Sequence, residues 1–189
     1  MPLKTSRKTS TSRKTSSPKR QSRAYSERWD LSHLAKDPVQ RFETLLAEIE
    51  SKVVQFESAR AQLSPTMATS IFHPLLTLSE DIAAASSRIS AYAYLWFSEN
   101  TQDLAARSFK TKVEERLTAL QNRLVFFDLW WQSVDEDSAR RLMTGTGTLR
   151  YHLETIRRFK PHTLSEPEEK IVNIKNVTGR SAVHSLYDV

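Results

Sequence analysis

Six apolar residues, Val113, Leu117, Leu120, Leu124, Phe127 and Trp131, follow one another at steps of four, three, four, three and four. That spacing gathers all six on one face of an α-helix. A strand, whose faces alternate every two residues, cannot gather them. The period predicts one long helix from Leu104 to Gln132, with Glu114, Glu115, Lys112 and Arg116 on its wet side. Its last two turns, Leu124-Val125-Phe126-Phe127-Asp128-Leu129-Trp130-Trp131, are apolar nearly all round, so that end is expected to lie between other helices.

The same period recurs upstream. Asp37 is a capping residue and Pro38 suits a first helical position. Val39, Phe42, Leu46, Ile49, Val53 and Phe56 then share a face, and the helix is expected to end near Leu63. Ser64-Pro65 is a fresh start signal. His73-Pro74 predicts a kink or short connection after Thr66–Phe72, because proline disfavours helix at the residue before it. A helix from Pro74 to Ser98 follows, with Ile82, Ile89, Tyr92 and Trp96 on one side. Small residues between them (Ala83, Ser86, Ser87, Ser90, Ala93) permit close contact with a neighbouring helix.

Shorter helices are expected over Asp135–Met143, around Leu149, Leu153 and Ile156, and after Ser165. Ser165 and Glu168 form a capping box, and that helix carries Ile171, Val172 and Ile174 to an end near Gly179. No stretch alternates with period two for long enough to make a sheet. The fold class is all-α, an antiparallel bundle of long helices.

Composition narrows the chemistry. The 189 residues suffice for one sizeable core. There is no cysteine, which excludes a disulfide scaffold, a thiolate metal site and a cysteine nucleophile. The three glycines, Gly145, Gly147 and Gly179, do not form the cluster a nucleotide-binding α/β fold needs. The longest nearly apolar run, Ile89 to Phe97, is about half a bilayer span, so no membrane partner is expected. The basic N-terminus has no apolar segment after it and does not read as a secretory signal.

The net charge of +6 is unevenly placed. Residues 1–26 hold eight Lys and Arg and no acidic residue, and eleven of them are Ser or Thr. Thr5-Ser6-Arg7-Lys8-Thr9-Ser10 repeats at once as Thr11-Ser12-Arg13-Lys14-Thr15-Ser16. Such a segment buries too little to offset its ordering entropy and is expected to be a disordered tail. It reads as an arm making weak nucleic-acid or acidic-surface contacts, as a transit peptide without an apolar face, or as an inert solvated extension. Residues 27–189 form the folded domain and carry twenty basic against twenty-two acidic residues, a net of −2.

No catalytic, cofactor-binding or metal-ligating residue emerges. None of His33, His73, His152, His162 and His184 is followed by glutamate, so a His-Glu-x-x-His zinc site is absent. His162 and Glu166 are four apart, but a Pro-flanked loop and a helix start do not place them on one face. Gly145-Thr146-Gly147-Thr148 reads as a helix–helix turn and not a phosphate cradle, since it lacks a third glycine and a lysine. Asp135, Glu136 and Asp137 read as favourable charge at a helix N-terminus. Asn176-Val177-Thr178 matches a glycosylation sequon that should be idle without a signal peptide. Trp29, Trp96, Trp130 and Trp131 read as core, not as a base-stacking platform.

Several short strings, in order, carry a resemblance. They are Trp29-Asp30-Leu31-Ser32, Ser90-Ala91-Tyr92-Ala93 with Asn100-Thr101, the stretch from Pro161 through His162-Thr163-Leu164-Ser165-Glu166-Pro167 to Ile171, Thr178-Gly179, and Leu186-Tyr187-Asp188. Together they resemble the N-terminal region of oligoendopeptidase F, of the M3 family of zinc metallopeptidases, over about Trp29 to Val189.

The resemblance implies a largely helical cytoplasmic enzyme that cleaves short peptides. Its zinc is held by a His-Glu-x-x-His helix and a further glutamate. The N-terminal helices form the wall and lid of the cleft. This chain would then be that wall, truncated before the catalytic domain and inactive alone. Its partners would be peptides and a catalytic half, and it would bring no zinc ligand of its own. The alternative is a standalone helical interaction protein whose basic tail binds nucleic acid or acidic surfaces. The first reading also predicts exposed apolar surface and self-association, because its helices would normally pack against the missing half.

Overall fold

The structure is a computed structural model that describes residues 29–34 and 36–187. The proposed tail, residues 1–26, lies outside them. Every regular element among the described residues is helical, as expected. α1 spans Phe42–Ser58, α2 Thr69–Glu99 and α3 Leu104–Ser133. Four shorter helices follow: α4 Glu136–Leu142, α5 Leu149–Arg158, α6 Glu166–Asn176 and α7 Ala182–Tyr187.

α3 ends within one residue of its expected limit. Asp103 caps its start, accepting from the backbone N–H groups of Ala105 and Ala106. Val113, Leu117, Leu120, Phe127 and Trp131 are buried, and Leu124 packs at the edge of the core. The expected carboxylate role in α4 also holds, with Asp135 as its cap, accepting from the Ser138 N–H. The Ser165–Glu168 capping box opens α6.

Three boundaries differ. α1 begins at Phe42 and not Pro38. Asp37 sits at φ +47°, Pro38 to Arg41 form a turn, and Val39 ends up exposed. The residue before a proline avoids the right-handed helical region, and Asp is among the few side chains that tolerate the left-handed one.

α2 starts at Thr69 and continues as one helix through Pro74, where a kink or short connection was expected. Pro74 cannot donate to the Ser70 carbonyl, but Ser70 is exposed and water can take that acceptor. Burial of Phe72, Leu75 and Leu76 on this turn offsets the lost bond.

α6 does not stop at Gly179. Gly145 and Gly147 have positive φ but Gly179 does not, so Gly179 provides no left-handed cap. The chain instead passes through a π-type turn, Val177–Ser181, into α7.

The long helices form the expected antiparallel bundle. Phe42 meets Phe109 edge-on at 5.4 Å, and further along Glu57 pairs with Arg123, so α1 and α3 run parallel. α2 opposes both: Tyr92 meets Phe109 at one end, and Phe72 stacks on Trp131 at 5.3 Å at the other. Phe56, Phe72, Phe127 and Trp131 form the aromatic centre of the core, each 4% exposed or less. Such ring pairs add about 0.5–1.5 kcal/mol each beyond their buried area. Of the four tryptophans, Trp131 is buried and Trp96 and Trp130 pack against the core, as their period predicts, whereas Trp29 is exposed.

α5 closes the C-terminal end of α3. Trp131 Nε1 donates to the Leu153 carbonyl at 2.9 Å, and Gln132 Nε2 to the Ile156 carbonyl at 3.2 Å. Arg157 donates to the carbonyls of Trp131 and Val134 at the end of α3, favourable positive charge at a helix C-terminus.

Candidate functional site

α6 reaches the bundle through polar groups. Arg60 donates to both carboxylate oxygens of Glu166, at 2.8 and 3.3 Å, and Lys170 donates to the same carboxylate at 2.7 Å. These two cations hold the Glu166 carboxyl below its usual range, Lys170 foremost. The Asn173 amide donates to the side-chain oxygen of Asn122 at 2.9 Å, and the Asn122 amide to the Lys170 carbonyl at 3.4 Å. Asn122 is buried in α3, so α6 is keyed to that helix by a buried amide.

This arrangement turns the amphipathic pattern of α6 outward. None of its residues is buried. Ile171, Val172 and Ile174 are exposed, and Val183, Leu186 and Tyr187 of α7 continue the apolar surface. α6 thus docks by its polar face and leaves apolar side chains on the outside.

α2 and α6 flank α3 and leave a groove of about 910 Å³ between them. Its α2 wall is the small-residue stripe, Ala83, Ser86, Ser87 and Ser90. Close helix contact was expected along this stripe, but only Ala93 is buried against the core, and Ala83, Ser87 and Ser90 stay exposed on the groove. The floor comes from α3, with apolar Val113, Leu117 and Leu124 beside Glu114, Thr118 and Gln121. Asn173, Asn176 and Val177 line the opposite wall.

Asp128 and His152 stand in the lining of this groove. Asp128 keeps solvent access along the groove, but the crowded walls desolvate its carboxyl and raise its pKa. Positive charge on His152 opposes that shift. Sequence reasoning passed over both residues. The available signal was a single carboxylate, Asp128, within the apolar run Leu124 to Trp131. His152 carries no pattern of its own and joins the groove only because α5 folds back on α3.

The groove offers a sizeable channel with apolar floor and polar sides, within the volume range of ligand clefts. It does not offer a metal centre. Among the described residues no group of three or more His, Cys, Asp or Glu side chains is placed to hold a metal ion. His162 lies in a short 3₁₀ turn, Lys160–His162, and Glu166 is taken by Arg60 and Lys170, so the two do not form a ligand pair. Gly145 to Thr148 lies in the turn between α4 and α5, with Gly145 at φ +83° and Gly147 at +57°. No helix among the described residues is long and apolar enough to cross a membrane.

Fold and groove define a helical module with an exposed apolar face on α6 and α7. Residues 130–189 match the model of the N-terminal region of M3 peptidases, described as Oligopeptidase F. Over this segment the chain is similar to that family region. The match takes in Pro161 to Ile171, Thr178-Gly179 and Leu186-Tyr187-Asp188, and leaves Trp29 to Ser32 and Ser90 to Thr101 outside it. No curated protein and no solved structure matches the chain.

Proposed function

We propose that this chain is the N-terminal wall of an M3-type oligoendopeptidase that hydrolyses short peptides. Zinc and the catalytic residues would come from a separate segment. The observation that carries the reading is a coincidence of sequence and surface. The segment similar to the M3 region, 130–189, contains α6 and α7, which hold the open apolar face. In this reading that face packs against the catalytic domain. The groove between α2 and α6 then forms part of the peptide-lined wall, and the enzyme acts in the cytoplasm.

The residues described here do not fit the zinc that the family uses. No step of hydrolysis is assigned to them. The chain's part is to cover apolar surface on the catalytic domain and restrict access to it.

The test is complementation. The full chain is mixed with an M3 catalytic domain that lacks its own N-terminal region, and hydrolysis of an internally quenched peptide is followed. The expected result is no hydrolysis and no stoichiometric zinc with the chain alone, and higher activity with the mixture. Ile171→Glu with Ile174→Glu should abolish that gain. Peptide hydrolysis or one bound zinc per purified chain would overturn the wall reading, and so would a chain that sediments as a clean monomer and does not bind the catalytic domain.

The uneven charge supports a second reading, in which residues 1–26 bind nucleic acid. Salt-sensitive binding that disappears on deleting those residues would favour it.

A further inference from the structure

A second cavity lies on the seam between α1 and α2, far in sequence from the segment that matches the M3 region. It measures about 200 Å³. Its floor is apolar: Leu45 and Ile49 from α1, Ala85 and Ile89 from α2, with Leu34 from the preceding loop. Ile49 and Ile89 are 3% and 2% exposed, so the floor is continuous with the core. Four cations surround it, Lys36, Arg41, Lys52 and Arg88, against one acidic side chain, Glu48.

Three of these cations are poorly neutralised. Arg41 approaches Glu48 only to 4.0 Å. Lys52 pairs with Asp81 at 3.0 Å. Among the described residues, Lys36 and Arg88 have no ion-pair partner. Like charges held around one small opening repel one another, and an anion placed among them relieves that repulsion.

Size separates the possible occupants. About 200 Å³ is below the roughly 300–1,000 Å³ of pockets that enclose a small ligand. It suits one large side chain, the kind of anchor that dominates protein interfaces. The charge around it selects what flanks that anchor. We infer that the α1–α2 seam is a docking site for an acidic protein segment with one large apolar side chain: the side chain fills the cavity and the flanking carboxylates meet Lys36, Arg41 and Arg88.

The experiment uses the full chain and a fluorescein-labelled peptide, Asp-Glu-Phe-Glu-Asp, followed by anisotropy at low salt. Three comparisons are made. One peptide carries Ala for Phe, one carries Asn and Gln for the acids, and the third uses the Lys36→Glu, Arg88→Glu variant of the protein. Both substituted residues are exposed, and circular dichroism checks that the helices persist. The expected result is binding that weakens about tenfold or more in each comparison, as for loss of an anchor or of charge complementarity.

The basic residues 1–26 also attract acidic peptides, but the variant leaves them in place. Undiminished binding by the variant would assign the attraction to the tail and overturn the site. Equal binding of the Phe-free peptide would reduce it to generic charge and also overturn it. Displacement by phenylacetate at the peptide's own concentration would mean a free organic anion is the occupant. No binding at millimolar protein would end the proposal outright.

Discussion

The indole N–H of Trp131 donates to the carbonyl oxygen of Leu153 at 2.9 Å, across an interface where both residues are fully buried. That bond joins the end of α3 to α5. Its neighbour Trp130 has a buried indole N–H with no acceptor among the described residues. Two adjacent tryptophans should therefore respond differently to the same change. Trp131→Phe loses a buried hydrogen bond and leaves a void, and should cost about 2–4 kcal/mol. Trp130→Phe removes an unsatisfied donor and should cost about 1 kcal/mol or less. Urea unfolding midpoints of the two variants decide it, and equal losses would contradict the geometry.

Gly145 and Gly147 both need left-handed backbone, but only one is crowded. A Cβ at Gly145 would stand 3.3 Å from Cε1 of His73, whereas one at Gly147 meets nothing within 4 Å. Gly147→Ala should cost about 1–2 kcal/mol, from the backbone alone. Gly145→Ala should cost more, because the His73 ring must also give way. Combining Gly145→Ala with His73→Ala should return its cost toward that of Gly147→Ala, measured as a double-mutant cycle.

Asp128 should weaken the fold at neutral pH. Desolvation raises its folded pKa above the unfolded value. The unfolded chain therefore releases that proton first as pH rises, and stability falls between the two pKa values. The penalty is complete above the folded pKa and absent below the unfolded one. Asp128→Asn should raise the urea midpoint at pH 7 and leave it unchanged near pH 3. A loss of stability at pH 7 would show that the carboxylate makes a favourable interaction.

Glu166 should have the opposite sign. Lys170 and Arg60 lower its folded pKa. Its contribution is present above the unfolded value and is lost as pH falls through the folded one. Since Glu166 ties α6 to Arg60 beside α1, acid should loosen α6 before the core opens. Hydrogen exchange should show protection in Glu166–Asn176 falling at acid pH while Leu104–Ser133 stays protected. Simultaneous loss in both would mean that the pair does not hold α6.

Helical class, the extent of α3 and the identity of its buried face were readable in the chain because they depend on local period. Val113, Leu117, Leu120, Phe127 and Trp131 can share a face in only one kind of element. The caps at Asp135 and Ser165 were readable for the same reason, since a side chain meets a backbone N–H three residues away.

Pro74 was not readable. Whether a proline ends a helix depends on what the following turn buries, and Phe72, Leu75 and Leu76 are buried by distant parts of the chain. The groove was not readable either. The small-residue stripe on α2 signalled close approach, but nothing local said that it would face an open groove instead. The groove arises because Asn122 and Arg60 hold α6 on α3, across from the stripe. The side chains of Asp128 and His152, and the cations of the α1–α2 seam, acquired their surroundings in the same way. Local periodicity selects the elements, whereas desolvation and charge neighbourhood exist only after distant segments have packed.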